Sequence, residues 1–114
     1  GYSIVSPEGA KKIFLQDCDA ELAEKLIAKL RPQPETGRDL KPVLTPERFG
    51  RVPRIYVEAL YDQSLSLNMQ RLMQQLQPDH LQVISMQTGH VPQAVQPQLL
   101  VEKLNQLFDE KVSV

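Results

Sequence analysis

The sequence predicts an α/β fold in which two parallel strands are flanked by helices. Residues 55–60 and 81–86 are rich in apolar and β-branched side chains, and proline, aspartate or glycine lies near their ends, as is typical of strands. A helix-like segment separates the two runs and another follows, an order typical of a parallel, right-handed crossover. Only Glu58 interrupts the apolar run at 55–60, which indicates a strand covered on both faces.

Composition excludes several functional classes. The 114 residues are 41% hydrophobic and 24% charged, which is ordinary for a globular protein. A net charge of -1 without a basic, aromatic-rich stripe argues against nucleic-acid binding. No apolar run approaches the roughly 20 residues of a membrane span, and the first seven residues lack the features of a signal peptide. We therefore predict a soluble, cytoplasmic protein that binds neither nucleic acid nor membrane.

Two helices are predicted in the first thirty residues. Ser6 followed by proline marks the start of a short helix over residues 7–15, and Asp19 can cap a second helix over residues 20–30. We interpret the apolar stripe of the second helix as core packing, although a docking surface for another protein is an alternative. The stripe repeats every fourth residue at Leu22, Leu26 and Leu30.

The middle of the chain is predicted to be irregular. Residues 31–41 contain two prolines, a glycine and several charges, and we interpret them as an exposed connector. Thr45 followed by Pro46 repeats the cap-then-proline pattern and predicts one helical turn before Gly50.

Two further helices are expected, one before and one after the second strand. Ser66 can cap a helix over residues 67–77, and Pro97 opens the last helix. Both are expected to bury an apolar face, and the polar tail at 109–114 is expected to fray. The predicted buried residues are Leu72, Met73 and Leu76 in the first of these helices, and Leu100, Val101, Leu104, Leu107 and Phe108 in the second.

Each predicted strand is followed by a side chain suited to acid–base chemistry. Asp62 follows the first strand and His90 the second, and parallel strands place their carboxyl ends at one edge of a sheet. A histidine that acts as a general base needs one ring nitrogen free and the other held by a carboxylate. Asp62 and His90 are therefore candidate catalytic residues, and Gly89 is expected to let the histidine loop turn sharply. Spacing alone also allows an ordinary strand-end aspartate and an ordinary loop histidine.

A nucleophile to complete such a triad is missing from the sequence. No Gly-x-Ser-x-Gly turn occurs; we interpret Ser6 and Ser66 as helix caps, and the other serines as surface or strand residues. Those others are Ser3, Ser64, Ser85 and Ser113. Cys18 lies between two aspartates, which would raise its pKa and blunt its reactivity, so a structural thiol is expected.

The remaining polar residues suggest no cofactor. Asp79, His80 and Cys18 lack metal-ligand spacing, and His80 is expected to be solvated, so we predict neither a metal nor a cofactor. Glu58 lies on an apolar strand and could pair with Arg54 or with a cap residue.

From about residue 52 to residue 107 the chain resembles the C-terminal part of α/β-hydrolase-fold proteins. The branch it most resembles contains plant methylesterases, plant hydroxynitrile lyases and related bacterial esterases. The residues that carry the resemblance are Val52-Pro53-Arg54-Ile55-Tyr56-Val57, then Asp62, Met69-Gln70-Arg71-Leu72-Met73, and Gly89-His90 with the later Pro97. The resemblance implies that Asp62 is the acid and His90 the general base of a catalytic triad. It also implies that residues 51–114 belong to the hydrolase core and residues 1–50 to the end of a helical cap and its return to that core.

The resemblance further implies one part of a serine hydrolase acting on carboxylic esters with an aromatic or small apolar acyl group. The expected partner is an N-terminal hydrolase portion, on a separate chain or a missing segment, that carries the nucleophilic serine and the oxyanion hole. Two parallel strands also need both faces covered and their edges paired, which points to the same partner. This chain by itself is expected to be inactive.

Two alternatives to an esterase stay open. In the lyases of this branch a lysine directly follows the histidine, whereas this chain has Val91, which favours ester hydrolysis over a hydroxynitrile lyase-like activity. The other alternative is a non-catalytic interaction module that acts through the apolar face of residues 20–30.

Overall fold

The structure of the chain is a computed structural model that describes residues 1–112, with side chains for residues 1–109. In chain order the elements are β1 (Tyr2–Ser3), α1 (Pro7–Gly9), a π-helix (Ala10–Phe14), α2 (Ala20–Ile27), β2 (Gln33–Pro34), 3₁₀ turns (Glu35–Asp39 and Phe49–Arg51), β3 (Arg54–Ala59), α3 (Leu67–Leu76), β4 (Leu81–Met86), α4 (Pro92–Val95) and α5 (Pro97–Val112).

The two predicted strands pair in parallel, as the sequence indicated. The register runs from Arg54 opposite Leu81 to Ala59 opposite Met86. α3 makes the connection between them, so the α/β prediction is confirmed. Every residue of β3 is half-buried or buried, whereas part of β4 is open to solvent.

Local capping signals gave the helix starts correctly. The side chains of Ser6, Asp19 and Ser66 each accept a hydrogen bond from the backbone N–H three residues later, at 3.0, 2.7 and 3.3 Å. Such bonds satisfy amide groups that have no partner within the helix. The starts of α1, α2 and α3 are therefore fixed by contacts within four residues of sequence.

The first two helices end differently from the prediction. The turn after Gly9 widens into a π-helix in which the Leu15 N–H bonds the Ala10 carbonyl at 2.9 Å. α2 ends at Ile27 rather than at residue 30. The N–H groups of Lys29 and Leu30 bond the carbonyls three residues before them instead of four, so the α-helical pattern does not continue. The Arg31 guanidinium then donates to the freed carbonyls of Ala28 and Leu30.

The predicted connector has some order, and the last helix extends further than expected. Residues 33–34 pair antiparallel with Tyr2–Ser3, and a 3₁₀ turn follows, although the whole stretch is exposed. The helical turn expected from Thr45 and Pro46 lies instead at Phe49–Arg51. α5 continues to Val112, so the prediction that the chain frays from residue 109 is wrong for residues 109–112. Residues 113–114 lie outside the described residues.

The apolar core is small and is divided between an N-terminal cluster and the ends of the two strands, where Ala59 and Met86 are buried. Ala10, Leu15 and Ala23 are buried together, and partly buried side chains pack around them. The surrounding residues are Phe14, Cys18, Leu26, Ile27 and Val91. The predicted core role of α2 is thus confirmed for the middle of its stripe, whereas Leu30 at its end is exposed.

The face of α3 that the sequence assigned to the core is largely exposed. Leu72, Met73 and Leu76 are 48%, 45% and 68% exposed, so that prediction is wrong. Its buried residue is Gln70, which is only 2% exposed. The α5 prediction is correct for the half-buried Leu100, Leu104 and Leu107 and wrong for Val101 and Phe108, which are exposed.

Gln70 is buried because it completes the hydrogen bonding at the end of β3. Its amide oxygen accepts from the Ala59 N–H at 3.0 Å, and its amide nitrogen donates to the Ala59 carbonyl at 2.9 Å. The same nitrogen donates to the Leu65 carbonyl at 2.9 Å. Gln70 thereby makes the hydrogen bonds to Ala59 that a neighbouring strand would otherwise make, and it holds Leu65 in the loop that follows β3.

A second polar group is buried on β3. Glu58, 4% exposed, accepts hydrogen bonds from Arg71 and Gln74 of α3 and from the Ser85 hydroxyl of β4. The bonds from Arg71 lower the pKa of Glu58 to about 2, against a burial effect that would raise it. The partner of Glu58 is thus Arg71. Arg54 instead donates to backbone carbonyls and lies over the Phe49 ring.

Among the helices of residues 1–112, none combines the length and the apolar character that crossing a membrane requires. The cytoplasmic location expected from the sequence stays a prediction.

Replacing Gln70 by leucine, which has a similar shape, should lower the free energy of unfolding by about 3 kcal/mol. The N–H and carbonyl of Ala59 and the carbonyl of Leu65 would each lose the hydrogen bond that Gln70 makes to them. Urea unfolding followed by circular dichroism measures the change. Gln75→Leu on the exposed side of the same helix is the matched control and should be close to neutral. Equal effects of the two substitutions would contradict the role given to Gln70.

Acid should weaken the fold partly through Glu58. Because its pKa is lowered from the ordinary 4.5 to about 2 on folding, its contribution is complete above about pH 5 and is lost as the pH falls toward 2. Glu58→Gln should therefore unfold with a shallower dependence on pH between 5 and 2. Unfolding free energies measured across this range test it, with Glu102→Gln on the exposed face of α5 as the control.

Candidate active site

The parallel pairing of the strands continues into the loops that follow them. The Leu60 N–H donates to the Met86 carbonyl at 3.0 Å, and the Tyr61 N–H donates to the Thr88 carbonyl at 2.9 Å. The loop that carries Asp62 therefore runs beside the loop that carries His90, at the carboxyl edge of the sheet.

Asp62 and His90 are in direct contact. The distance between Asp62 Oδ2 and His90 Nδ1 is 2.8 Å. A carboxylate can only accept a hydrogen bond, so Nδ1 carries the proton and donates it. The Asp62 side chain is 5% exposed and that of His90 is 37% exposed, so the acid is sheltered and the imidazole reaches solvent.

The second oxygen of Asp62 is fixed by backbone. Oδ1 accepts from the N–H groups of Ser64 and Leu65 at 2.8 and 3.0 Å, which closes a turn just after the strand. Burial would raise the pKa of Asp62, but the bonds from Leu65, His90 and Ser64 outweigh it and lower that pKa. Asp62 is therefore ionised at neutral pH with both oxygens held, and its orientation is set.

One face of the imidazole lies against Phe14. The ring centroids are 5.1 Å apart and the planes are inclined by 52°. With Nδ1 bonded to Asp62 and one face covered, Nε2 is the ring nitrogen left to meet a reacting group. This arrangement suits a histidine that takes and returns a proton.

Gly89 is needed for close approach, which is not the reason that the sequence suggested. Its φ is not positive, so the loop makes no use of glycine's conformational freedom. A Cβ at this position would lie 2.7 Å from Gln16 Nε2 and 2.9 Å from Asp17 Oδ1. The absence of a side chain lets Asp17 Oδ2 accept a hydrogen bond of 2.7 Å from the Gly89 N–H.

An apolar cavity of about 400 Å³ opens beside His90. Its walls come from the π-helix, from α2 and from α4, with residues that flank these helices, and Gln93 is the one polar residue besides His90 in the lining. The apolar lining residues are Val5, Ala10, Phe14, Leu15, Leu26, Leu30, Val91 and Ala94. A cavity of this size and character suits an apolar organic group placed next to the imidazole.

Apart from Ser64, whose backbone N–H bonds Asp62, the other candidate residues described next lie outside this cluster of contacts. The Ser85 hydroxyl bonds Glu58, and Ser6 and Ser66 cap helices as predicted; Ser113 lies outside the described residues. Burial first, then Asp17 and Asp19, raise the pKa of the half-buried Cys18. His80 is exposed, as expected. Among the side chains of residues 1–109, no group of three or more His, Cys, Asp or Glu is placed to hold a metal ion.

Three contact residues of the site were missed by sequence reasoning. Phe14, Gln16 and Asp17 are distant from Asp62 and His90 in the chain, and they carry no motif. Gln16 donates to the Tyr61 carbonyl at 2.8 Å, and Asp17 accepts from Gly89 across 72 positions. No local pattern could have indicated contacts of this range.

Comparisons with known proteins identify the fold that carries this site. No protein-family model matches the chain. Over 78 residues, 68% of its length, the chain is 32% identical to a pyrethroid hydrolase of Sphingobium wenxiniae, of which the match covers 24%. Polyneuridine aldehyde esterase is similar in structure, with a TM-score of 0.81 and 19% identity over 94% of this chain and 48% of that one. A variant of tomato methylketone synthase I complexed with β-ketoheptanoate gives a TM-score of 0.78 and 21% identity over 94% and 43%.

These similar proteins have the α/β-hydrolase fold, and the chain matches a C-terminal part of it. The chain spans less than half the length of each solved structure named above and about a quarter of the curated relative. The expected resemblance is thus confirmed: the chain has the architecture of the C-terminal portion of an α/β hydrolase.

Gly89→Ala should destabilise the protein by about 1–2 kcal/mol, because the new methyl group pushes away the ends of the Gln16 and Asp17 side chains and so breaks their hydrogen bonds to Tyr61 and Gly89. Thermal unfolding measures the loss. Gly37→Ala is the matched control, since a Cβ there meets nothing within 4 Å and should be neutral or slightly stabilising. A neutral Gly89→Ala would disprove the close-approach role.

Proposed function

We propose that this chain supplies the acid and the general base of a serine hydrolase that acts on carboxylic esters. The observation that carries the proposal is the 2.8 Å hydrogen bond from His90 Nδ1 to a buried, ionised Asp62. The names of the similar proteins, which include an esterase and a hydrolase, support the same class of reaction.

In the proposed reaction His90 Nε2 takes the proton of a serine hydroxyl while the serine oxygen attacks the ester carbonyl. The imidazolium then gives that proton to the departing alcohol, leaving an acyl-serine. A water molecule, deprotonated by the same Nε2, attacks the acyl carbon. The bond from that carbon to the serine oxygen breaks, the carboxylic acid leaves, and the imidazolium returns its proton to the serine oxygen. Asp62 stabilises the imidazolium at each step and keeps Nδ1 protonated, so that Nε2 is the basic nitrogen.

We propose that the serine and the oxyanion hole come from an N-terminal hydrolase portion that packs on this chain. Many large apolar side chains of residues 1–109 are exposed, and the largest fully buried apolar one is Met86. The radius of gyration is 16.5 Å, compared with about 13 Å for a compact domain of about 100 residues. A two-stranded parallel sheet also leaves edges that further strands would pair. In this arrangement residues 1–50 are the end of the cap and its return, and residues 51–114 belong to the core.

The cavity beside His90 favours an ester with an aromatic or small apolar acyl group. Its lining is almost entirely apolar, so burying such a group there is favourable while the carbonyl stays near the imidazole. The residue after His90 is Val91, which packs against the small apolar core. An apolar neighbour at this point provides no charge to stabilise a cyanide leaving group, so ester hydrolysis is favoured over a lyase reaction.

Substituting the two proposed triad residues in the complete protein, with its N-terminal portion, should abolish most of the ester hydrolysis. His90→Ala and Asp62→Asn should each lower kcat for a chromogenic ester by about three to four orders of magnitude, because the base is lost or held in the wrong tautomer. His80→Ala and Asp79→Asn, both exposed, are the matched controls and should hydrolyse at the wild-type rate. Full activity of His90→Ala would end the proposal.

A further inference from the structure

We infer that Asp17, together with Gln16, is a positioning residue for the proposed general base. The inference rests on the proposed function of His90. It assigns a role to a short segment before α2 that has no place in the proton transfers themselves.

Asp17 holds the residue that precedes the base. Its Oδ2 accepts a hydrogen bond of 2.7 Å from the N–H of Gly89, a buried residue next to His90 in the chain. A hydrogen bond to an ionised acceptor is shorter and stronger than a neutral one. The Thr88–Gly89 peptide, which directly precedes the Gly89–His90 peptide, is therefore fixed from outside the sheet.

Gln16 holds the residue that precedes the acid. Its amide nitrogen donates to the Tyr61 carbonyl at 2.8 Å, and Tyr61 is next to Asp62 in the chain. Neighbouring side chains of one segment thus bond the two loops at equivalent points, one residue before each proposed triad member. Such a bridge sets the separation of the loops, on which the Asp62–His90 bond depends.

The same segment also forms part of the apolar cavity. Phe14 and Leu15 line the cavity, and the Phe14 ring lies against the imidazole. The segment of residues 14–17 therefore joins the wall of the cavity to the backbone of the histidine loop. An acyl group bound in the cavity would therefore contact the same segment that positions His90.

The side chains of Gln16 and Asp17 belong to exposed residues, so removing either leaves no cavity in the core. A loss of positioning should instead appear in the chemistry, because a displacement of about 1 Å at a reacting group can lower the rate about 100-fold.

The test compares three variants of the complete protein: Asp17→Ala, Asp17→Asn and Asp19→Asn. Asp17→Ala should lower kcat by about 10- to 100-fold, with KM for the ester within about twofold of wild type. Asp17→Asn keeps an oxygen that can accept from Gly89 and should restore kcat to within about threefold. Asp19→Asn removes the same charge two residues away and keeps a good helix cap, so it should behave as wild type.

A second readout is independent of turnover. The proton that His90 Nδ1 shares with Asp62 should give a downfield proton NMR signal, identified by its absence in His90→Ala. This signal should broaden or vanish in Asp17→Ala and persist in Asp17→Asn and Asp19→Asn. Thermal unfolding of each variant confirms that it folds, and Gln16→Ala is measured in the same way if Asp17→Ala fails to fold.

The outcomes separate the inference from the proposed function. Wild-type kcat and an unchanged NMR signal in Asp17→Ala would overturn the positioning role while leaving His90 as the base. An equal loss in Asp19→Asn would also overturn it, because the effect would then be one of charge alone. If the wild-type protein hydrolyses no ester, the proposed function fails, and the NMR signal of Asp17→Ala alone decides whether the segment positions His90.

Discussion

The parallel pairing of β3 and β4 is the constraint on which the rest of the structure depends. Parallel strands end at the same edge, so the residues that follow them are brought close together. Here the pairing continues for two more hydrogen bonds beyond the ladder, and these carry Asp62 and His90 into contact. A shift of the register by one residue would reverse the faces of one strand and separate the two loops.

Polar side chains hold this small sheet as much as apolar packing does. Gln70 satisfies both backbone groups of Ala59, and Glu58 gathers donors from α3 and from β4. Buried groups of this kind specify one arrangement, since any slip leaves donors and acceptors without partners in a region of low dielectric. These hydrogen bonds lie near the carboxyl ends of the strands, close to the proposed chemistry.

His90 has three neighbours that a free imidazole in water lacks. A sheltered carboxylate holds one ring nitrogen, an aromatic ring covers one face, and an apolar cavity opens alongside. An imidazolium formed here would be stabilised by Asp62, whose carboxylate is sheltered from solvent. The remaining groups that an acyl transfer needs are a nucleophile and donors for the developing oxyanion, which we assign to an N-terminal portion.

Short-range patterns along the chain were enough to predict the caps at Ser6, Asp19 and Ser66, the two strands, and the candidates Asp62 and His90 at the strand ends, and the order of strand, helix and strand predicted the parallel pairing. These signals are local, because a cap acts over three residues and a strand has a period of two. Tertiary structure alone decided that Gln70 rather than Met73 is buried, that Glu58 pairs with Arg71, and that Gly89 admits Asp17. Each of those choices depends on which groups meet across the fold, and no spacing along the chain records it.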